Sequence, residues 1–450
     1  MRRLWTCIES EANPVVNSKE FARRRKYLME LIGANGIAVL AAAPERVRSR
    51  DTLHIYRADS DFYYLTGFAE PEAVAVLVPG REQGQFLMFC RERNPERELW
   101  DGPRAGPEGV VADYGADDAF PITDLDDILP GLLERSERVY CSLGAHEFDQ
   151  RLLSFLQTLN SKRQSSGHAP SELVALDHLL HEMRLFKSRA EVAVMRQSAK
   201  IAVAAHRRAM LAVRPGMKEF ELEAEFLHEF RRHGAECSYP PIVAGGSNAC
   251  VLHYRSNDAE LKDGDLVLID AGCEHGMYAS DITRTFPVNG RFTEPQRELY
   301  ELVLEANQVA TTKAVPGNHW NDPHDAAVGV ITRGLKELGL LEGRVPQLVK
   351  SLAYKRFFMH RTGHWLGLDV HDVGDYKLDE QWRMLEPGMV MTIEPGIYVA
   401  PGEKSVDKRW RGIGIRIEDD VHVSREGPDV LTGGLPATVE QIERHMAGAA

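Results

Sequence analysis

Two spacings of apolar residues alternate along this chain and divide it into helices and strands. Apolar positions recur every three or four residues near Phe21 to Ile32, Leu125 to Leu133 and Phe148 to Leu159, which predicts helices with one buried face. Between them the runs GIAVLAAA, EAVAVLVPG, GQFLMFCRER and RVYCSLG predict strands, the second and third joined by a short glycine-containing turn. This order predicts a modest α/β domain. The polar segment SKRQSSGHAPSE, residues 161–172, contains Gly and Pro and is read as a linker or exposed loop near its end. The expected domains are 1–176 and 177–450.

The second domain opens with helices. Ser188 and Glu191 have the spacing of a capping box ahead of a long helix that runs to about Leu211 and is stopped by VRPG. A second helix, FELEAEFLHEFRRHG, closes on Gly234. The pattern then repeats. Thr293 and Gln296 form another capping box, AVPG stops the helix that follows, and a further helix covers roughly Ala326 to Leu338. LKDGDLVLIDAG at 261–272 aligns without a gap on LEPGMVMTIEPG at 385–396, which sets Asp270 on Glu394. Such self-similarity marks an internally duplicated fold. It predicts an α+β domain in which two halves, related by a pseudo-twofold, share one curved antiparallel sheet.

Composition narrows the setting. A chain of 450 residues exceeds one ordinary core, in line with two domains. No run approaches a membrane span, and acidic residues interrupt MRRLWTCIESEANP where a signal peptide needs its apolar stretch, so a cytoplasmic protein is expected. The net charge of −13 works against nucleic-acid or anionic-membrane partners. The six cysteines form no CxxC pair, which suits reduced thiols rather than a disulfide frame or a zinc-thiolate site.

The chemistry gathers at strand ends. Leu266 to Ile269 reads as a buried strand that ends on Asp270, and Tyr278 to Phe286 reads as the returning arm of a hairpin carrying Asp281. The second half offers Glu394, and Glu418 within GIGIRIEDDVHV. Buried carboxylates need a positive partner. Together with His364 these four form an oxygen-rich donor set suited to a hard or borderline divalent ion, Mn²⁺ first, with Co²⁺ or Zn²⁺ as alternatives. Four carboxylates overbalance one ion, so two are expected, about 3.5 Å apart. His360 and His364 are spaced like the two histidines of an HExxH zinc motif, but the Glu is missing and Gly363 and Gly367 argue against a helix.

LHY at 252–254, LVLIDAG, SDITRTFP, HRTGHWLGLDVHDVG, TIEPGIYV and GIGIRIEDD resemble the pita-bread metallopeptidases, most closely the aminopeptidase P (Xaa-Pro aminopeptidase) family. DFYYLTGFAEPEA near residue 61 resembles that family's N-terminal domain. The resemblance implies that Asp281 and Glu418 bridge two metals, that Asp270 binds one, and that His364 and Glu394 bind the other. It places His253 and His371 beside the substrate, with His360 close by. Arg416, two residues before Glu418, would orient a carboxylate or touch substrate.

The implied reaction removes an N-terminal residue when proline is second, by attack of a hydroxide held between two metals, with His371 or His253 steadying the oxyanion and Glu394 moving a proton to the leaving nitrogen. The same resemblance suggests a dimer or tetramer, with Trp100 a candidate to reach a neighbouring subunit's site. The Xaa-Pro dipeptidase (prolidase), which shares ligands and fold, is the main rival; intact ligand positions weigh against binding proteins of this fold that have lost their ligands and against creatinase, which lacks the metals.

Overall fold

A computed structural model describes residues 14–144, 146–162 and 169–448, and the chain separates into two compact units. The first, Val16–Arg184, is built on a six-stranded sheet ordered Asp118–Pro121, Phe86–Cys90, Val74–Leu77, Gly36–Ala41, Arg138–Cys141, Glu172–Ala175. The three strands Phe86–Cys90, Val74–Leu77 and Gly36–Ala41 pair antiparallel, and the outer strands add in parallel on each side. The central strands are almost wholly buried, which is why their sequences run apolar without alternation. Helices Ser18–Ile32, Leu125–Leu133 and His146–Lys162 fall where the apolar spacing predicts. The polar segment 161–172 lies partly outside the described residues, and its end already belongs to the sixth strand, Glu172–Ala175.

The second unit, from Leu185 onward, contains the duplication. Helices Arg189–Ala212 and Glu219–Arg232 precede a sheet of Ile242–Gly245, Leu266–Asp270 and Thr283–Pro287; helices Glu294–Thr311 and Asp322–Glu337 precede one of Val390–Ile393, Asp419–Ser424 and Gly427–Val430. Capping boxes form at Ser188 and at Thr293 as their spacing predicts. The halves join where Glu418 N–H donates to the Thr283 carbonyl at 3.0 Å and Thr285 Oγ1 donates to the Arg416 carbonyl at 3.0 Å. One apolar core runs through both halves, from Leu185 to Ile442.

The hairpin differs from its sequence reading in one respect. Tyr278 to Phe286 is no continuous alternating arm: it breaks into Tyr278–Ala279 and Thr283–Pro287, with every residue buried, and Asp281 sits in the break. Glu418 likewise sits between Ile413–Arg416 and Asp419–Ser424. In each half the chain passes from one sheet to another at its second carboxylate.

These crossings bring backbone against backbone. A Cβ on Gly272 would fall against the Ser280 carbonyl, and one on Gly363 against that of Thr392. Neither obstacle is the movable end of a side chain. Gly272→Ala and Gly363→Ala should each lower stability by about 1–3 kcal/mol, read as a fall in thermal midpoint. Midpoints equal to wild type would mean that the crossings relax freely.

Candidate active site

The strand ends deliver the five predicted side chains to one place. Asp270 closes Leu266–Asp270, Glu394 follows Val390–Ile393, and Asp281 and Glu418 occupy the two breaks. His364 comes from an irregular segment, not a helix, so its spacing from His360 has no helical meaning. Its backbone is clasped to Thr392: His364 N–H donates to Thr392 Oγ1 at 3.1 Å, and Thr392 N–H donates to the His364 carbonyl at 2.9 Å. His364 Nε2 lies 3.3 Å from Asp281 Oδ2 and 3.8 Å from Glu394 Oε1. Asp281, His364 and Glu418 each present a ligand atom within 4.8 Å of the other two.

A surrounding layer holds these groups in place. Arg416 is buried and uses all of its nitrogens on protein: Nη2 donates to Asp270 Oδ2 at 2.5 Å, Nη1 to Tyr398 Oη at 3.0 Å and Nε to Thr283 Oγ1 at 3.1 Å. Thr283 Oγ1 in turn donates to Glu418 Oε2 at 2.6 Å. The Tyr239 hydroxyl lies between Asp270 Oδ1, 2.6 Å away, and Asp281 Oδ1. A phenol has one proton to give. That proton serves one of the two carboxylates at a time, and burial raises the Asp281 pKa.

Charge decides what this set can hold. Burial, reinforced by neighbouring carboxylates, pushes Glu418 well above the usual carboxylate range, and burial pushes Glu394 up to about 7 although His364 and Arg416 oppose it. His364 moves the opposite way to a buried imidazole: desolvation pulls it down, but Asp281 and Glu394 together carry it up to about 9. One imidazolium and Arg416 face four carboxylates, with Asp420 buried close behind on the Asp281 amide at 3.2 Å. Carboxylate-rich surroundings with one imidazole and no thiolate fit divalent cations of hard or borderline character.

The remaining histidines border this set. The His371 ring stands edge-on to that of His364, with centroids 4.3 Å apart, and its loop is anchored by an ion pair between Lys187 Nζ and Asp372 Oδ2 at 2.9 Å, both side chains 1% exposed. His371 is exposed, and its pKa is lowered by burial of the ring's surroundings and by His364. His253 is also exposed, beyond the short helix Gly246–Cys250. His360 Nε2 lies 2.9 Å from Tyr398 Oη and Nδ1 3.8 Å from Glu394 Oε2, and burial pulls the ring down to about 4. Trp100 stands exposed on the helix Pro95–Asp101 of the first unit. Tyr239, Thr283, Tyr398 and Asp420 carry no spacing signal in the sequence. Tyr239 reaches carboxylates 31 and 42 positions away.

Comparison with known proteins agrees with this geometry. Residues 193–425 match metallopeptidase family M24, and residues 21–140 match the aminopeptidase P N-terminal domain. The Xaa-Pro aminopeptidase of Escherichia coli K12 is 44% identical, covering 96% of this chain and 99% of that protein. Among solved structures, Pseudomonas aeruginosa aminopeptidase PepP is 59% identical with a TM-score of 0.96, covering 97% of this chain and 99% of that one. A zinc-substituted E. coli aminopeptidase P in complex with product is 44% identical with a TM-score of 0.94, covering 97% and 99%. Fold and donor set together define a pita-bread metallopeptidase. The chain belongs to metallopeptidase family M24, in the aminopeptidase P branch that carries this N-terminal domain.

The Arg416 contacts generate a test. Arg416→Met removes the cation from a buried carboxylate, which costs about 3–5 kcal/mol. Denaturant unfolding of the metal-free protein should show that loss. An unchanged midpoint would mean that the Asp270 charge is met elsewhere.

Proposed function

We propose that this chain is a dinuclear metal-dependent Xaa-Pro aminopeptidase, releasing the first residue from peptides with proline second. The observation that carries this reading is the convergence of Asp281, Glu418 and His364, with the half-buried Asp270 and Glu394 beside them, at the meeting of the two halves, in a chain that follows the aminopeptidase P branch through both domains. Asp281 and Glu418 would bridge two ions, Asp270 would complete one site, and His364 with Glu394 the other. When bound, the ions, Mn²⁺ in this reading with Co²⁺ or Zn²⁺ as alternatives, supply Lewis acidity toward the scissile carbonyl and activate water at neutral pH.

The chain's own groups do the rest. His371, kept neutral near pH 7 by its lowered pKa, retains one N–H to donate to the developing oxyanion, with His253 the alternative for that role. Glu394, at about 7 in the metal-free site, is the proton carrier to the leaving proline nitrogen through Oε2, the oxygen that faces His360. His360 borders the substrate. Arg416 orients the Asp270 carboxylate, to which its Nη2 donates. Proline sets the specificity because its nitrogen offers no N–H and its ring fixes the backbone, so recognition rests on shape.

The same reading takes the protein as cytoplasmic and homo-oligomeric, a dimer or tetramer, with peptides as partners rather than nucleic acid or membrane. Among the described residues no helix is long and apolar enough to cross a bilayer.

The histidines should separate by role. His371→Ala should lower kcat by roughly 10²-fold with metal content near wild type, whereas His364→Ala should lose metal. Equal loss of metal in both variants would overturn these assignments. Chain length tests the substrate. A dipeptidase must meet a carboxylate just past proline with a cation, whereas an aminopeptidase leaves that direction open. Xaa-Pro-Yaa and longer peptides should therefore be cleaved at least as well as Xaa-Pro, and alanine in place of proline should abolish most turnover. High kcat/KM for dipeptides with negligible cleavage of tripeptides would make this a prolidase.

A further inference from the structure

In each half of the duplicated unit, one buried polar side chain on the leading helix reaches the backbone beside that half's carboxylates. On the helix Glu294–Thr311, Asn307 is 5% exposed, and its Nδ2 donates to the carbonyls of Ile393 at 3.0 Å and Ile417 at 3.3 Å. Those residues immediately precede Glu394 and Glu418. On either side of this point the two segments pair, Ile393 with Asp419 and Gly396 with Arg416, and Asn307 ties the two carbonyls at the interruption between those ladders.

The first half places a polar side chain on one of its two segments. On the helix Arg189–Ala212, His206 is fully buried, with Nε2 3.1 Å from the Ala271 carbonyl. The Ala271 N–H then donates to the Ile282 carbonyl at 3.0 Å. Ala271 and Ile282 immediately follow Asp270 and Asp281. The ring packs edge-on to Phe226, and Nδ1 has no hydrogen-bond partner, which assigns the single proton of a neutral imidazole to Nε2 as the donor.

Packing alone does not account for either residue. Their neighbours on the same helices, Ala202, Ala205, Ala209, Val303, Ala306 and Ala310, are buried and apolar, and a polar group among them is retained where its hydrogen bonds are used. Like-charged carboxylates in a dry interior push apart. A donor beside each pair resists that.

We infer that Asn307 and His206 are positioning residues for the metal centre, matched clasps that set the spacing of Glu394 to Glu418 and of Asp270 to Asp281. The inference rests on the ligand assignment proposed above. Under that assignment Asn307 serves the ion held by His364 and Glu394, and His206 serves the ion held by Asp270. Each clasp governs one ion more than the other.

The experiment is calorimetric titration of Mn²⁺ into the metal-stripped full chain, with denaturant unfolding of the same metal-free samples in parallel. Asn307→Leu should weaken one of two binding steps roughly 10–100-fold and leave the other within a few-fold, as loss of an outer-layer partner does at metal sites. His206→Leu should weaken the other step. His206→Gln, whose amide nitrogen can take the place of Nε2, should restore it. If Asn307→Leu does not fold, Asn307→Ser, too short to reach both carbonyls, carries the same expectation. A lowered unfolding midpoint with both Mn²⁺ steps at wild-type strength overturns the inference, since the side chains would then only support the fold. So does His206→Gln binding as weakly as His206→Leu. Failure of the functional reading is seen earlier, in wild-type protein that takes up no Mn²⁺ or a single ion, and it removes the inference with its premise.

Discussion

Negative charge gathered in a dry interior is the constraint on which the second unit depends. Two carboxylates about 4 Å apart repel by roughly 4 kcal/mol at the effective dielectric of a protein, and here four converge with Asp420 close behind. The surrounding layer answers that repulsion piece by piece. Arg416 meets Asp270, Tyr239 lies between Asp270 and Asp281, and Thr283 donates to Glu418. Cations complete what these donors leave unbalanced. The breaks in the strands follow from the same need, because a chain that changes sheet at Asp281 or Glu418 turns its carboxylate inward while its backbone finds new partners.

A duplicated scaffold also yields chemistry that is not symmetric. The first half contributes aspartates with a tyrosine between them, and the second contributes glutamates, His364 and His360. Arg416, from the second half, is committed to Asp270 of the first, whereas Glu394 has imidazoles for neighbours. One side of the centre is thus held by a permanent cation, and the other by titratable imidazoles around a carboxyl group raised to about 7. A peptide has direction, with a free amine at one end and a leaving nitrogen further on. A site whose two sides differ in proton affinity is suited to that direction in a way that two identical halves are not.

Much of this was legible along the chain because it depends on neighbours a few residues apart. The capping boxes at Ser188 and Thr293, the buried strand before Asp270 and the match of Asp270 to Glu394 are local patterns, and they led to the duplicated fold and to Asp270 and Glu394 as matched candidate ligands. The linker reading of 161–172 took polar composition as a guide and missed that its end pairs as the outer strand Glu172–Ala175, since an edge strand needs few apolar residues.

What only the tertiary structure decided are contacts between segments that sequence spacing does not relate. The break at Asp281 comes from pairing with different sheets on its two sides, and the role of Arg416 from a guanidinium closed in by Asp270, Tyr398 and Thr283. His206 meets Ala271 across 65 residues and Asn307 meets Ile393 across 86. Periodicity reports which face of an element is buried, and it identified both helices. It carries no information on which distant carbonyl a buried donor will find, because that partner is set by how the layers pack once the chain has folded.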